Sequence, residues 1–169
     1  ARMALHVALQ HPTMVSQLVL ISGTPGLVTE EERTARRKSD NELADRIEEI
    51  GTASFIDEWL ALPIFSGLTM DTNQKDDRLR NTAKGLADSL RCAGTGTQES
   101  LWPHLRQLSI PTHLIVGGTD AKFTAIAHDM KPLLQSGKTT VVPSVGHTVH
   151  LEDPTTVSQL LDSIILRND

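Results

Sequence analysis

Residues 110–150 read IPTHLIVGGTDAKFTAIAHDMKPLLQSGKTTVVPSVGHTVH, and this stretch decides the fold. Thr112 to Val116 is a short, apolar, β-branched run behind Ile110-Pro111, the composition of a strand buried on both faces. Gly117-Gly118-Thr119-Asp120 turns the chain out of it. Phe123, Ile126, Ala127, Met130 and Leu133 then recur at helical spacing. Thr139 to Val142 is a further strand, and Pro143 to Leu151 reads as the loop after it. A strand, a helix and a strand in this order make a unit of parallel sheet.

Both flanks continue the pattern. Downstream, Asp153 is the expected N-cap of a helix with Pro154 at its first position, and Val157, Leu160, Leu161, Ile164 and Ile165 form its buried face. Upstream, Gln17 to Ser22 (QLVLIS) is another buried strand, followed by a GTPG loop at residues 23–26. A helix precedes it, with Met3, Ala4, Val7 and Ala8 on one face and His11-Pro12 at its end. Between the strands, Thr29 to about Arg91 reads as helical and strongly charged. Thr29 with Glu32 is a capping-box signature. Phe55, Ile56, Trp59 and Leu60 make one apolar stripe, and Leu79, Leu86 and Leu90 another. Gly51, Pro63 and Gly67 punctuate the segment.

The expected architecture is α/β: a doubly wound, mostly parallel sheet without its first half, built from 1–28 and 92–169. A helical insertion at 29–91 forms a lid over the end of the sheet. Parallel sheets are covered on both faces and hold ligands at the carboxyl ends of their strands. The loops after Ser22, Val116 and Val142 therefore share one rim.

Composition narrows the functions. A formal net charge of −5 makes nucleic acid an unfavoured partner. No apolar run approaches the roughly 20 residues that span a bilayer. Ala1 opens directly into a helical pattern, with no leader-like run before it. The single cysteine, Cys92, has no base beside it and reads as a structural or incidental thiol suited to a reducing compartment. His6, His11, His104, His113 and His128 are scattered and carry no expected role. His147 and His150 lie three apart with no further ligand near them, so no metal site is expected. His150 is expected to pack or hydrogen-bond beneath the loop.

Two rim loops hold titratable groups, Asp120 after one strand and His147, in Ser144-Val145-Gly146-His147, after the next. Neighbouring parallel strands lie about 4.8 Å apart, so their loops can join a carboxylate to an imidazole. A carboxylate accepting from one ring nitrogen fixes the tautomer and leaves the other basic. Gly146 is expected to allow a sharp turn beside the ring. Taken singly, Asp120 is a turn-former and His147 a loop histidine. Together, acid before histidine, they follow the triad order of α/β-hydrolases. No G-x-S-x-G motif occurs, and Ser22, Ser66 and Ser144 are not on strand-to-helix elbows. Ala1, however, begins a helix of the kind that follows such an elbow, so the nucleophile is expected just upstream of it.

The chain resembles the 2-succinyl-6-hydroxy-2,4-cyclohexadiene-1-carboxylate synthase family of menaquinone biosynthesis. The resemblance is carried by Ala1-Arg2, His11-Pro12, LVLISGTPGL (18–27), EERTARRKSD (31–40), the Phe55, Trp59, Pro63, Phe65 pattern, Asp120-Ala121-Lys122-Phe123, and Gly146-His147-Thr148-Val149-His150. It implies an α/β-hydrolase fold and a cofactor-independent lyase that expels pyruvate. It implies Asp120 and His147 as catalytic, with a serine three residues before Ala1. Arg2, Arg36 and Arg78 would bind substrate carboxylates, Arg78 in a variable stretch with Arg80 nearby. Trp59 and Phe65 would be lid aromatics facing the site; from spacing alone they are core residues. Arg33, Arg37 and Lys38 read as a solvated helix face. A planar guanidinium suits carboxylates because it can bind them bidentately. The expected partner is a small polycarboxylate, with no membrane, no nucleic acid, no metal and no cofactor, in a cytoplasmic monomer or weak homo-oligomer. Two other readings stand beside this one. The first is a hydrolase of the same fold, acting on esters or carbon–carbon bonds. The second is a non-catalytic fragment, since half a parallel sheet exposes an unpaired edge.

Overall fold

The computed structural model describes residues 1–165. Strands β1 (Leu18–Ile21), β2 (Thr112–Gly117) and β3 (Gly137–Val142) form a parallel sheet in the order β1-β2-β3. Leu18 pairs with Thr112 and Ile21 with Ile115, while Thr112 pairs with Gly137 and Gly117 with Val142. Both pairings are parallel, so the carboxyl ends of the strands lie on one edge. This is the parallel α/β sheet that the buried strands predict. β3 begins at Gly137, two residues ahead of the Thr139 start expected from its apolar run. Its first two residues, Gly137 and Lys138, carry no apolar side chain, which hid those positions.

The chain divides into two compact units, one of Ala1–Thr24, Pro63–Thr72 and His104–Asp169, the other of Pro25–Leu62 and Asn73–Pro103. The first contains the sheet and helices α1 (Arg2–Gln10), α5 (Ala121–Met130), α6 (Val149–Glu152) and α7 (Pro154–Ile165). Its core joins Ile115, Val142, Val145, Val149 and Val157, with Val19, Ile21, Leu160 and Leu161 packed against them. Each such side chain contributes about 1.5–3 kcal/mol when fully buried. α7 starts as its sequence dictates, with Asp153 Oδ1 accepting from Thr156 N at 3.0 Å. The Thr156 side chain first of all, and then that backbone bond, holds the Asp153 carboxyl below the usual carboxylate range.

Three expectations within this unit need correction. On α1 the buried residues are Leu5 and Ala8, whereas Met3 is 61% and Val7 45% exposed. The helix is apolar on more than one row, so its period fits two faces equally well. On α7 Ile165 is 64% exposed, one step past the buried Ile164. The stretch 143–151 is not all loop, because Val149–Glu152 forms a helical turn.

The second unit holds α2 (Glu30–Leu60), α3 (Lys75–Leu79) and α4 (Ala83–Ala93). Thr29 caps α2 by a complete capping box: its hydroxyl accepts from Glu32 N, and Glu32 accepts from the Thr29 backbone N–H. Gly51 breaks the helix at φ 79° and ψ 167°, a conformation closed to most side chains. A straight helix would place residues 46 and 58 about 18 Å apart. The break instead lets Arg46 pair with Glu58 at 2.6 Å. Ile47, Phe55 and Ile56 form the core of this unit with Trp59, Leu60, Leu86 and Leu90 around them. Arg91 ties α4 to α2 through Asp45 and Glu48. Leu79, expected on the stripe with Leu86 and Leu90, lies on the separate helix α3 and is 36% exposed. Among the described residues, no helix is long and apolar enough to cross a membrane.

Candidate active site

Asp120 and His147 meet at the carboxyl edge of the sheet. Asp120 stands three residues beyond β2 and is the N-cap of α5, its Oδ1 accepting from Phe123 N at 3.1 Å. Its second oxygen, Oδ2, lies 2.7 Å from His147 Nδ1. A carboxylate only accepts, so Nδ1 carries the proton and Nε2 is the basic nitrogen. The pair is largely shielded, with side-chain exposures of 23% for His147 and 11% for Asp120. Phe123 packs its ring against the imidazole, centroids 4.4 Å apart. One turn of α5 thus supplies both the cap contact and an apolar wall for the histidine.

The loop that carries His147 is pinned to its neighbours. Thr119 N and Oγ1 both donate to Val145 O, at 3.0 and 2.8 Å. Ser22 Oγ donates to His147 O at 2.7 Å. Ser22 itself closes β1 with a positive φ of 46°. A side chain at Gly117 would collide with the carbonyl oxygens of Gly146 and Val145, so the close approach of the two rim loops requires glycine there. Gly146 plays a different part from the expected sharp turn. Its φ is not positive, and a Cβ on it would meet the Glu152 carboxylate, so its smallness serves a close contact.

A cavity of about 350 Å³ opens on the pair, lined by Thr119, Asp120, Ala121, Ser144, Gly146, His147 and Glu152 with Pro63, Ile64, Ser66 and Gly67. Phe65 itself is buried at 8% exposure, and its sequence neighbours face the cavity. Arg2 stands at the start of α1. A Cβ on Gly23 would meet the Ala1 Cβ at 2.7 Å, so α1 begins beside the carboxyl end of β1. His150 is exposed rather than packed beneath the loop; Thr148 and Val149 take the buried positions.

In the helical unit, Trp59 stacks on Phe55 with centroids 6.5 Å apart, and the Arg78 guanidinium lies over the Trp59 ring at 4.9 Å. Both line a second cavity, of about 210 Å³, walled mainly by Leu43, Ile47, Phe55, Ile56 and Leu86. Arg78 Nε donates to Asn73 O at 2.8 Å. Arg36 Nε donates to Asp40 Oδ1 at 2.7 Å, with Asp40 buried and the Arg36 side chain 45% exposed. Arg33 and Arg37 share Glu30 and hold its carboxyl down to about 2, through hydrogen bonds first of all from Arg37.

Sequence reading missed Glu152. Its carboxylate accepts from Gly146 N at 2.7 Å, Thr148 N at 3.0 Å and Thr148 Oγ1 at 2.8 Å. The one available signal was an acid at the end of a threonine-led turn, Thr148 to Glu152.

No family model matches the chain. Among solved structures, it superposes on a thermophilic esterase from Thermogutta terrifontis with a TM-score of 0.74 at 19% identity, covering 95% of this chain and 59% of that one. At such identity the likeness speaks for the fold alone. The match to MenH from S. aureus is closer: TM-score 0.88 at 32% identity, covering 98% of this chain and 62% of that one. The chain is therefore part of an α/β-hydrolase fold.

Its sequence is more specific. It is 42% identical, over 96% of its length, to a Bacillus subtilis (strain 168) protein provisionally named 2-succinyl-6-hydroxy-2,4-cyclohexadiene-1-carboxylate synthase. It is 30% identical, over 97% of its length, to the synthase of that name from Enterobacter sp. (strain 638). The chain is a relative of these synthases and spans 63% and 62% of their respective lengths.

Proposed function

We propose that the chain carries the acid–histidine pair and the carboxylate anchors of a 2-succinyl-6-hydroxy-2,4-cyclohexadiene-1-carboxylate synthase, a lyase of menaquinone biosynthesis. The observation that carries the reading is the 2.7 Å contact between Asp120 and His147 at the sheet rim, in a chain related to these synthases. In this reading a serine upstream of Ala1 removes a proton from the succinyl-enolpyruvyl-hydroxycyclohexene carboxylate. His147 Nε2 takes the serine proton, and Asp120 stabilises the resulting imidazolium. The carbon–oxygen bond to the enolpyruvyl group then breaks, and that group leaves as an enolate, which takes up a proton in place of the one removed and becomes pyruvate as His147 returns to its neutral form. The serine is a general base here and forms no acyl-enzyme.

The anchors follow from charge. A polycarboxylate entering a protein of net charge −5 needs a local positive potential. Arg2, Arg36 and Arg78 would supply it as carboxylate anchors, with Trp59 and Phe65 as aromatic substrate-binding residues. The half-exposed guanidinium of Arg36, held at Nε by Asp40, leaves its outer nitrogens for a ligand. The protein would work in the cytoplasm, as a monomer or weak homo-oligomer. The test is to supply the cyclohexene precursor to the intact gene product and follow pyruvate. Release that depends on His147 supports the reading, and release no faster than the uncatalysed background contradicts it.

A further inference from the structure

Glu152 grips the backbone on both sides of His147. One carboxylate oxygen accepts from the N–H of the residue before it, Gly146, and the other from the N–H of the residue after it, Thr148. The Thr148 hydroxyl adds a third donor. On the far side, the Glu152 carboxylate lies so close to Gly67 that a Cβ there would overlap it. Gly67 lines the same cavity as His147 and Glu152.

We propose that Glu152 is a positioning residue for His147, and that Gly67 is glycine in order to make room for its carboxylate. The proposal rests on His147 being the residue that supports the base. A carboxyl side chain fits the arrangement because both of its oxygens accept. A glutamine offers one acceptor and one NH2, so it would face one of the two N–H groups with a donor. An aspartate is one methylene shorter and cannot reach both sides. The same bonds explain how an acid can line a cavity meant for an anionic substrate. Its charge is spent on three donors from the loop rather than offered to the ligand.

The test uses the intact gene product and three variants: Glu152→Gln, Gly67→Ala and the double substitution. Misplacing a reacting group by about 1 Å can cost roughly 100-fold in rate. Glu152→Gln should therefore lower the kcat of pyruvate release on the order of 10- to 100-fold while KM stays within about twofold. Gly67→Ala, which pushes the carboxylate away, should do the same, and the double variant should be no worse than the more severe single one, since both act through one contact. A second readout needs no substrate: the Nδ1–H proton resonance of His147, assigned by its loss in His147→Gln. It should shift or broaden in Glu152→Gln and in Gly67→Ala. Unchanged kcat per folded molecule together with an unmoved resonance overturns the proposal, as does strict additivity in the double variant. If the wild type releases no pyruvate, the lyase reading fails while the resonance still decides the positioning role.

Discussion

Asp120→Asn separates the charge of the acid from its place in the helix. Asparagine caps helices as well as aspartate, so the bond from Phe123 N can persist and α5 should keep its start. What disappears is the negative charge 2.7 Å from His147 Nδ1. At an effective dielectric constant of about 20, unit charges at that separation attract by roughly 6 kcal/mol. The residual exposure of 23% and 11% admits solvent screening, which brings the figure to about 3–5 kcal/mol for the imidazolium that forms during turnover. At about 1.36 kcal/mol per decade, kcat should fall roughly 10²- to 10⁴-fold. The upper end matches the loss of about 10⁴ known for the same change in serine-protease triads, where the wrong tautomer is the cause. The amide NH2 can donate to Nδ1 here too, moving the proton to Nε2 and removing the base. The assay is steady-state pyruvate release beside thermal unfolding. A folded Asp120→Asn protein with kcat within about threefold of wild type would refute the reasoning.

Three further outcomes follow from the same geometry. Arg2→Ala and Arg36→Ala should each lower kcat/KM on the polycarboxylate about 10- to 100-fold, from the roughly 1.5–3 kcal/mol of a hydrogen bond to a charged group. They should leave cleavage of neutral aryl esters, if any is detected, nearly unchanged; equal loss on both substrates would discard the anchor role. Thr29→Ala removes one half of the capping box at the head of α2 and should cost about 1 kcal/mol, read as a lower urea midpoint. Glu30, held down to about 2 against its ordinary 4.5 by Arg37 and Arg33, contributes stability that is full above about pH 4.5 and lost as pH falls from there towards 2. NMR titration of Glu30 should show the depressed midpoint in wild type and a rise towards 4.5 in Arg37→Met; an unmoved midpoint would deny the ion pair.

Much of the sheet unit was legible because its signals are local. Three apolar strands, Asp153-Pro154 before a helix and the Thr29–Glu32 pair each announce themselves within a few residues. The acid–histidine pair was legible for a related reason: in a parallel sheet, loops after neighbouring strands must share an edge. Other features were hidden because they depend on tertiary contact. α1 has apolar rows at both Met3–Val7 and Leu5–Ala8, and only the packing selects between them. Glu152 looks like a surface acid until the path of the His147 loop brings Gly146 and Thr148 to it. The smallness of Gly117 and Gly67 likewise answers to atoms far away in sequence, the carbonyls of Val145 and Gly146 and the carboxylate of Glu152.

The central claim is that Asp120 and His147 support proton removal leading to loss of pyruvate. Its most direct test is a stoichiometric time course with the intact gene product and its His147→Ala variant, both given the cyclohexene precursor. The account predicts one pyruvate and one cyclohexadiene product per substrate consumed by the wild type, with release by the variant reduced by several orders of magnitude. Release by His147→Ala at the wild-type rate, or consumption of substrate by the wild type without pyruvate, would contradict it.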